Sequence, residues 1–256
     1  MNIVRFVKSS VTVAEMEARK IRHDSTELWT RIIQPALWLL IFGETFNAVR
    51  AMPSGNFSYL QFITPGILAQ SVLFISIFYG ITVVWERDVG IITKLLSTPS
   101  PRSSIVLGKS LAASLRGVFQ AIMIFGLALL LGVKIRLDLP DILGIFAVVI
   151  LFAMCFSSLS MLLASFMKTR DRMMGIGQAL TMPLFFASNA IYPISIMPVW
   201  LQYISIANPL SYVVDAIRSM LLAGTYANLP VDILALLIST TIFVVLASKT
   251  IKQLLE

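Results

Sequence analysis

Six stretches of about twenty mostly apolar residues, each long enough to cross roughly 30 Å of bilayer hydrocarbon as a helix, decide what this chain can fold into. They cover residues 32–49, 60–84, 105–133, 142–167, 174–191 and 231–247. Hydrocarbon holds no water to satisfy backbone N–H and C=O groups, so each stretch must pair its own, which a helix does. The expected fold is an all-α membrane protein, residues 1–256 forming a single transmembrane domain of six helices. Composition closes the alternative: 57% of residues are hydrophobic and 13% charged, whereas a soluble domain carries about half and about a quarter. A soluble fold of this size has too little interior to hide that much apolar surface.

The connections carry the basic residues. Sixteen of the twenty Lys and Arg fall in the first thirty-one residues, after the second and fourth spans, or in the C-terminal tail. Arg50, Lys134, Arg136 and Arg218 are the four on the other side. Positive charge is retained in the cytoplasm, so a multi-pass protein of the cell membrane with both termini cytoplasmic is expected. The same bias accounts for the formal net charge of +7. With no basic stripe interleaved with aromatics, it does not indicate nucleic acid as a partner. The first thirty residues hold no apolar run of signal-peptide length, so the first span is expected to act as the insertion signal. Cys155 is the single cysteine, which excludes an internal disulfide and a thiolate metal cluster within one chain.

Three segments outside the spans have a character of their own. Residues 1–31 place Ile3, Phe6, Val7, Val13, Met16 and Ile21 at rough helical spacing among charges, the pattern of a helix in the cytoplasmic membrane interface, in contact with lipid. Residues 86–104 read as a short amphipathic helix and a return. Glu86 and Asp88 are expected at its start, where the helix dipole favours negative charge; Ile91, Ile92, Leu95 and Leu96 form an apolar face, and Pro99 and Pro101 stop it. Residues 192–230 are apolar yet broken by Pro193, Pro198 and Pro209, which fits short re-entrant helices in the outer leaflet better than one span.

Catalytic and metal chemistry find little support. Gly108-Lys109-Ser110 mimics the end of a phosphate-binding loop, but Ser103 stands where the first glycine belongs and no strand precedes it. ATP hydrolysis is therefore not expected in this chain, and neither is a cofactor. His23 is the single histidine and lies in the polar N-terminal segment. Asp138 and Asp141 flank Leu139-Pro140, the composition of a turn and a helix start. Ionisable residues near hydrocarbon are few: Glu44, Arg116, which can snorkel to the cytoplasmic interface, and Asp215 with Arg218, spaced to pair on one helix face.

Around the second cytoplasmic connection a family becomes recognisable. Pro65-Gly66, Trp85-Glu86-Arg87-Asp88 with Gly90, Leu95-Leu96-Ser97-Thr98-Pro99, Arg102 and Leu107-Gly108-Lys109 resemble the membrane subunits of ABC-2-type exporters. A later run, Ala190-Ile191-Tyr192-Pro193 through Met197-Pro198, Trp200-Leu201 and Asn208-Pro209-Leu210-Ser211-Tyr212 to Asp215 and Arg218, is similar to the same family's outer segment. The chain departs at Ile91-Ile92-Thr93, where the family commonly has Thr-Leu-Glu. The resemblance implies that two such subunits pair, as a homodimer, and that each docks a separate cytoplasmic ATP-binding-cassette ATPase, two copies in all, which binds the ATP and Mg. Glu86, Asp88, Gly90, Ile91, Leu95, Leu96 and Pro99 would make the coupling helix region. The first and fifth spans would line a translocation path, with Met182, Phe185, Phe186 and Pro193 as candidate wall residues. Tyr192, Asn208, Pro209, Tyr212, Asp215 and Arg218 would form an outer gate. Exported cargo is expected to be amphipathic or lipid-type. A polysaccharide export permease of the same family and an ion-gradient-driven transporter are the alternatives.

Overall fold

A computed structural model of the chain describes residues 3–23, 29–43, 45–46, 57–98, 100–136 and 138–255, so that Glu44, Arg50 and Pro99 lie outside the described residues. Among these the protein is helical, without strands. The helices are α1 (Ile3–His23), α2 (Ile33–Leu37, continued by a wider turn over Trp38–Gly43), α3 (Tyr59–Asp88), α4 (Ile91–Leu96), α5 (Arg102–Leu130), α6 (Leu139–Ala164), α7 (Arg170–Phe186), α8 (Val199–Ala207), α9 (Pro209–Arg218) and α10 (Leu229–Thr250).

Four of them, α3, α5, α6 and α10, are long and apolar enough to cross a membrane. The stretches expected as the first and fifth spans are shorter as helices. Apolar helix covers Ile33–Gly43 in the first. In the fifth, α7 begins earlier than expected, where the Thr169 hydroxyl accepts from the Arg172 N–H at 3.3 Å, and ends at Phe186, three residues past Pro183. Proline fixes φ and supplies no N–H, so helix ends gather near it.

α3 is the axis of the bundle. Its thirty residues start at a reciprocal cap between Ser58 and Gln61, and most of its side chains are buried on all sides against α5, α6, α7 and α9. A helix apolar around its whole circumference belongs inside a bundle, not on its lipid face. α10, by contrast, packs on α6 and leaves Val231, Leu234, Leu237, Ile238 and Ile242 outward, the side expected to meet lipid. Small hydroxyls join the spans where they touch: Ser110 and Ser158 share a hydrogen bond of 2.8 Å, and Ser160 accepts from the Gly80 N–H at 2.8 Å while donating to the Ile77 carbonyl. Interhelical contacts of this kind take the place of the hydrophobic effect between helices already surrounded by lipid.

Candidate functional site

Two ends of the bundle carry the polar construction, one at the α3–α5 connection and one where α7 meets α8 and α9.

At the first, the Trp85-Glu86-Arg87-Asp88 run lies elsewhere than the sequence pattern implied. Glu86 and Asp88 are the last turn of α3, not the start of the amphipathic helix; the break comes at Gly90, in the left-handed region at φ 76°. Each residue of the run has a separate task. Glu86 is fully buried and forms an ion pair with the fully buried Lys109. Lys109 also reaches Glu17 of α1 at 2.8 Å, and Lys20 of α1 touches Glu17 at 3.0 Å and Glu86 at 2.6 Å. Two lysines and two glutamates thus neutralise one another at the joint of α1, α3 and α5. Burial alone raises the Glu17 carboxyl, yet the charges and hydrogen bonds of Lys109 and Lys20 overcome it and hold that carboxyl well below the usual carboxylate range. Arg87 donates to the carbonyls of Met167 and Lys168 at 2.7 and 2.8 Å, and Asp88 receives Arg87 at 2.9 Å and Arg170 at 3.4 Å. The end of α3 is therefore tied to α1, to α5 and to the α6–α7 turn.

α4 hangs from this joint. Its apolar face is turned inward: Ile92 is fully buried, and Leu95 and Leu96 pack against the cluster of Val83, Val84, Ile105 and Ile251. Thr93, Lys94 and Ser97 point outward, next to an exposed Val89. Gly108-Lys109-Ser110, the phosphate-loop mimic, is structural throughout. A Cβ on Gly108 would lie 2.6 Å from the Ser10 carbonyl oxygen of α1; Lys109 holds the two glutamates and Ser110 meets Ser158. Arg116 does not snorkel: it is buried, 5.1 Å over the Tyr79 ring.

The C-terminal end of α7 is closed by the segment after it. The last carbonyls of a helix have no partner within it, and here each of four finds one. Pro183 O receives the Ala187 N–H, Leu184 O the Asn208 amide at 2.7 Å, Phe185 O the Ser188 hydroxyl and Phe186 O the Tyr192 hydroxyl at 2.5 Å. Asn208 also caps α9 by accepting from the Leu210 N–H, with Pro209 at the first helical position. Tyr212 donates to the Ile206 carbonyl at the end of α8. Further in, Arg218 contacts Asp215 at 3.5 Å, donates to the Asn189 carbonyl at 2.8 Å and lies 4.1 Å over the Phe62 ring, while the Asn189 amide donates to Asp215 at 2.6 Å. Gly66 of α3 lets the Ala190 backbone approach closer than any Cβ permits.

A family model for ABC-2 type transporters matches residues 10–222, from α1 through the turn after α9. The chain belongs to that family. Among individual relatives, a chain of Cyanophora paradoxa assigned as a transport permease, ycf38, is 32% identical over 73% of this chain and 65% of its own length, so the match spans a little under two thirds of that relative. The daunorubicin resistance ABC transporter permease protein of Streptomyces coeruleorubidus is 27% identical over 78% of this chain and 70% of its own. The inner membrane transport permease YadH of Escherichia coli K12 is 26% identical over 81% and 82%. As an ABC-2 permease the protein is a membrane transport component.

Within this ABC-2 permease the candidate wall residues separate. Phe185 is fully buried, edge-on to Trp38 at 5.9 Å, in the same inward stripe as Met173, Gly177 and Thr181, and packs in the core of this chain. Met182 and Pro193 are half-buried and Phe186 is exposed. Phe186 borders an apolar pocket of about 410 Å³ with Pro183, Tyr192, Trp200, Ile204 and Asn208. Glu17, Lys20 and Asn189 are polar site residues that the sequence patterns did not single out. A buried partner is signalled by a polar residue inside an apolar run, as with Asn189; Glu17, in a helix full of charges, carries no such mark.

Proposed function

We propose that the chain is the permease subunit of an ATP-driven exporter. Two copies form the translocation path, and each docks a separate ATP-binding-cassette ATPase that binds ATP and Mg. Six spans, with the stretches around α2 and α7 as the first and fifth, place both termini and α4 in the cytoplasm. The cargo is amphipathic or lipid-type, in keeping with the apolar lining beside Phe186 and with a relative named for daunorubicin resistance.

The observation that carries the reading is the α3–α4–α5 joint within the ABC-2 match. The short helix α4 and its flanks, with Val89, Thr93, Lys94 and Ser97 outward, follow an end of α3 that is held by buried ion pairs to α1 and α5 and by Arg87 to the α6–α7 turn. Displacing α4 then displaces α3 and the base of α7 together, because packed interiors transmit movement rather than absorb it. ATP-driven closure of the two ATPases would bring the two α4 helices together, and the paired α7 helices would move with them.

The test is co-purification with the ATP-binding-cassette ATPase expressed with the chain. The pair Val89→Asp and Lys94→Glu, on the outward face, is expected to release the ATPase while the permease remains monodisperse. Retention of the complex would remove α4 from the contact.

A further inference from the structure

Near the midpoint of α3 sits a side chain with no evident structural task. Gln70 is 1% exposed, and neither its amide nitrogen nor its amide oxygen has a hydrogen-bond partner. An amide buried without partners costs about 1–3 kcal/mol by protein substitution data, and more in hydrocarbon. A leucine at the same place would have none of that cost. Gln70 borders a cleft of about 220 Å³ between α3 and the start of α2, with Arg31, Gln34, Pro35, Ser71 and Phe74 among its lining. It lies eleven residues into a thirty-residue helix, about 17 Å from its N-terminal end at 1.5 Å per residue. Phe74 is half-buried and stacked on Phe78 at 5.9 Å, offering a ring face to whatever enters.

We propose that this cleft binds the hydroxyl- or amide-bearing, non-cationic head of an amphipathic cargo, with Gln70 giving it one donor and one acceptor. The chemistry follows from the lining. A primary amide offers both hydrogen-bond senses, which suits a head of hydroxyls or amides, and the Arg31 guanidinium in the same lining gives a cation no countercharge. The size sets the share of ligand that fits. Drug-sized ligands fill about 300–1,000 Å³, so this cleft takes a single polar ring or comparable head, and the apolar tail must lie outside it along α3 or in lipid. The site is separate from the apolar pocket beside Phe186, which shares none of its lining residues. The assignment deepens the exporter reading and rests on it for the word cargo; the binding itself needs no ATPase.

Binding of radiolabelled octyl β-glucoside, kept below its critical micelle concentration, to the full chain in lipid nanodiscs tests the site. Wild-type chain is expected to show saturable binding above the linear uptake of empty nanodiscs. Gln70→Leu and Phe74→Ala are each expected to weaken it tenfold or more, and Leu234→Ala, on the outward face of α10, to leave it unchanged. Octyltrimethylammonium is expected to compete at least tenfold more weakly than octyl glucoside. Equal affinity in wild type and Gln70→Leu, absence of a saturable component, or stronger competition by the cation would overturn the proposal. Should Gln70→Leu fail to give monodisperse protein, Phe74→Ala and the competition series decide alone. Glucoside binding without an associating ATPase would sink the exporter reading and leave the site; an associating ATPase without glucoside binding would do the reverse.

Discussion

Lys109 shows how far one side chain can organise the α1–α3–α5 joint of this permease. A lone ammonium taken out of water costs several kcal/mol, so a fully buried lysine is tolerable only with its charge answered. Glu17 and Glu86 answer it, and Lys20 completes the neutral foursome. Lys109→Met leaves two buried carboxylates sharing one half-exposed lysine, and is expected to destabilise the chain by about 3–5 kcal/mol, read as a lowered thermal midpoint in detergent. The pH dependence has a fixed sign. A carboxylate whose folded pKa lies below its unfolded value contributes stability that is full above about 4.3, the ordinary glutamate value, and is lost as pH falls towards the folded value. Glu17 is such a group. The thermal midpoint is therefore expected to decline below about pH 4.3, and Glu17→Gln to start lower at neutral pH yet decline less; parallel profiles for the two proteins would remove Glu17 from the linkage. None of this was legible at Gly108-Lys109-Ser110, where a three-residue motif reads the same whether its lysine faces a phosphate or two buried glutamates.

At the scale of elements, the apolar periodicity that locates α4 does not say which side of the helix a partner takes. Ile91, Ile92, Leu95 and Leu96 make a face that could equally meet another protein or this chain's own core, and Ile92, Leu95 and Leu96 meet the core. The outward surface falls to Thr93, Lys94 and Ser97, which no pattern of hydrophobicity marks. α1 is similarly divided. Val13, Ala14 and Glu17 face α5, whereas Val7 and Val11 stay exposed, so the helix expected to lie on the membrane is also bolted to the bundle. Its close approach depends on Gly108, where any side chain meets Ser10 and Val13. Gly108→Val is expected to lift α1 from α5 and expose Arg19 and Lys20 to trypsin. In wild type Lys20 is held by two carboxylates, so cleavage there is expected to be slow. Cleavage at equal rates would mean that α1 is held without that contact. The cap at the end of α7 has the same logic in reverse: Pro193, Pro198 and Pro209 mark where helix must stop, but which carbonyls would accept from Tyr192 and Asn208 depends on a fold that brings residues 184–186 alongside.

For the whole molecule, length and hydropathy single out α3, α5, α6 and α10 as crossing helices, and the topology turns on α2 and α7. With four crossings alone, α4 and the Lys134–Arg136 turn would still lie on opposite sides, because α5 separates them. The discriminating sites lie beyond the two short helices. If the stretch at α7 crosses, the α6–α7 turn at Lys168 and the segment at Tyr203 on α8 face opposite sides of the membrane; if it does not, they share one. Cys155 is buried and can be replaced by serine to clear the background. Single cysteines at Lys94, Lys134, Lys168 and Tyr203 can then be reacted with a membrane-impermeant maleimide on intact cells. Six spans with cytoplasmic termini require labelling at Lys134→Cys and Tyr203→Cys, and none at Lys94→Cys or Lys168→Cys until the membrane is opened. Tyr203 is well exposed, so silence there from outside with labelling after permeabilisation would put α8 in the cytoplasm and reduce α7 to a hairpin. That outcome would also dismantle the exporter geometry, since the four carbonyls at the end of α7 would then cap a cytoplasmic rather than an outer segment, and no movement of α4 could open a path past them.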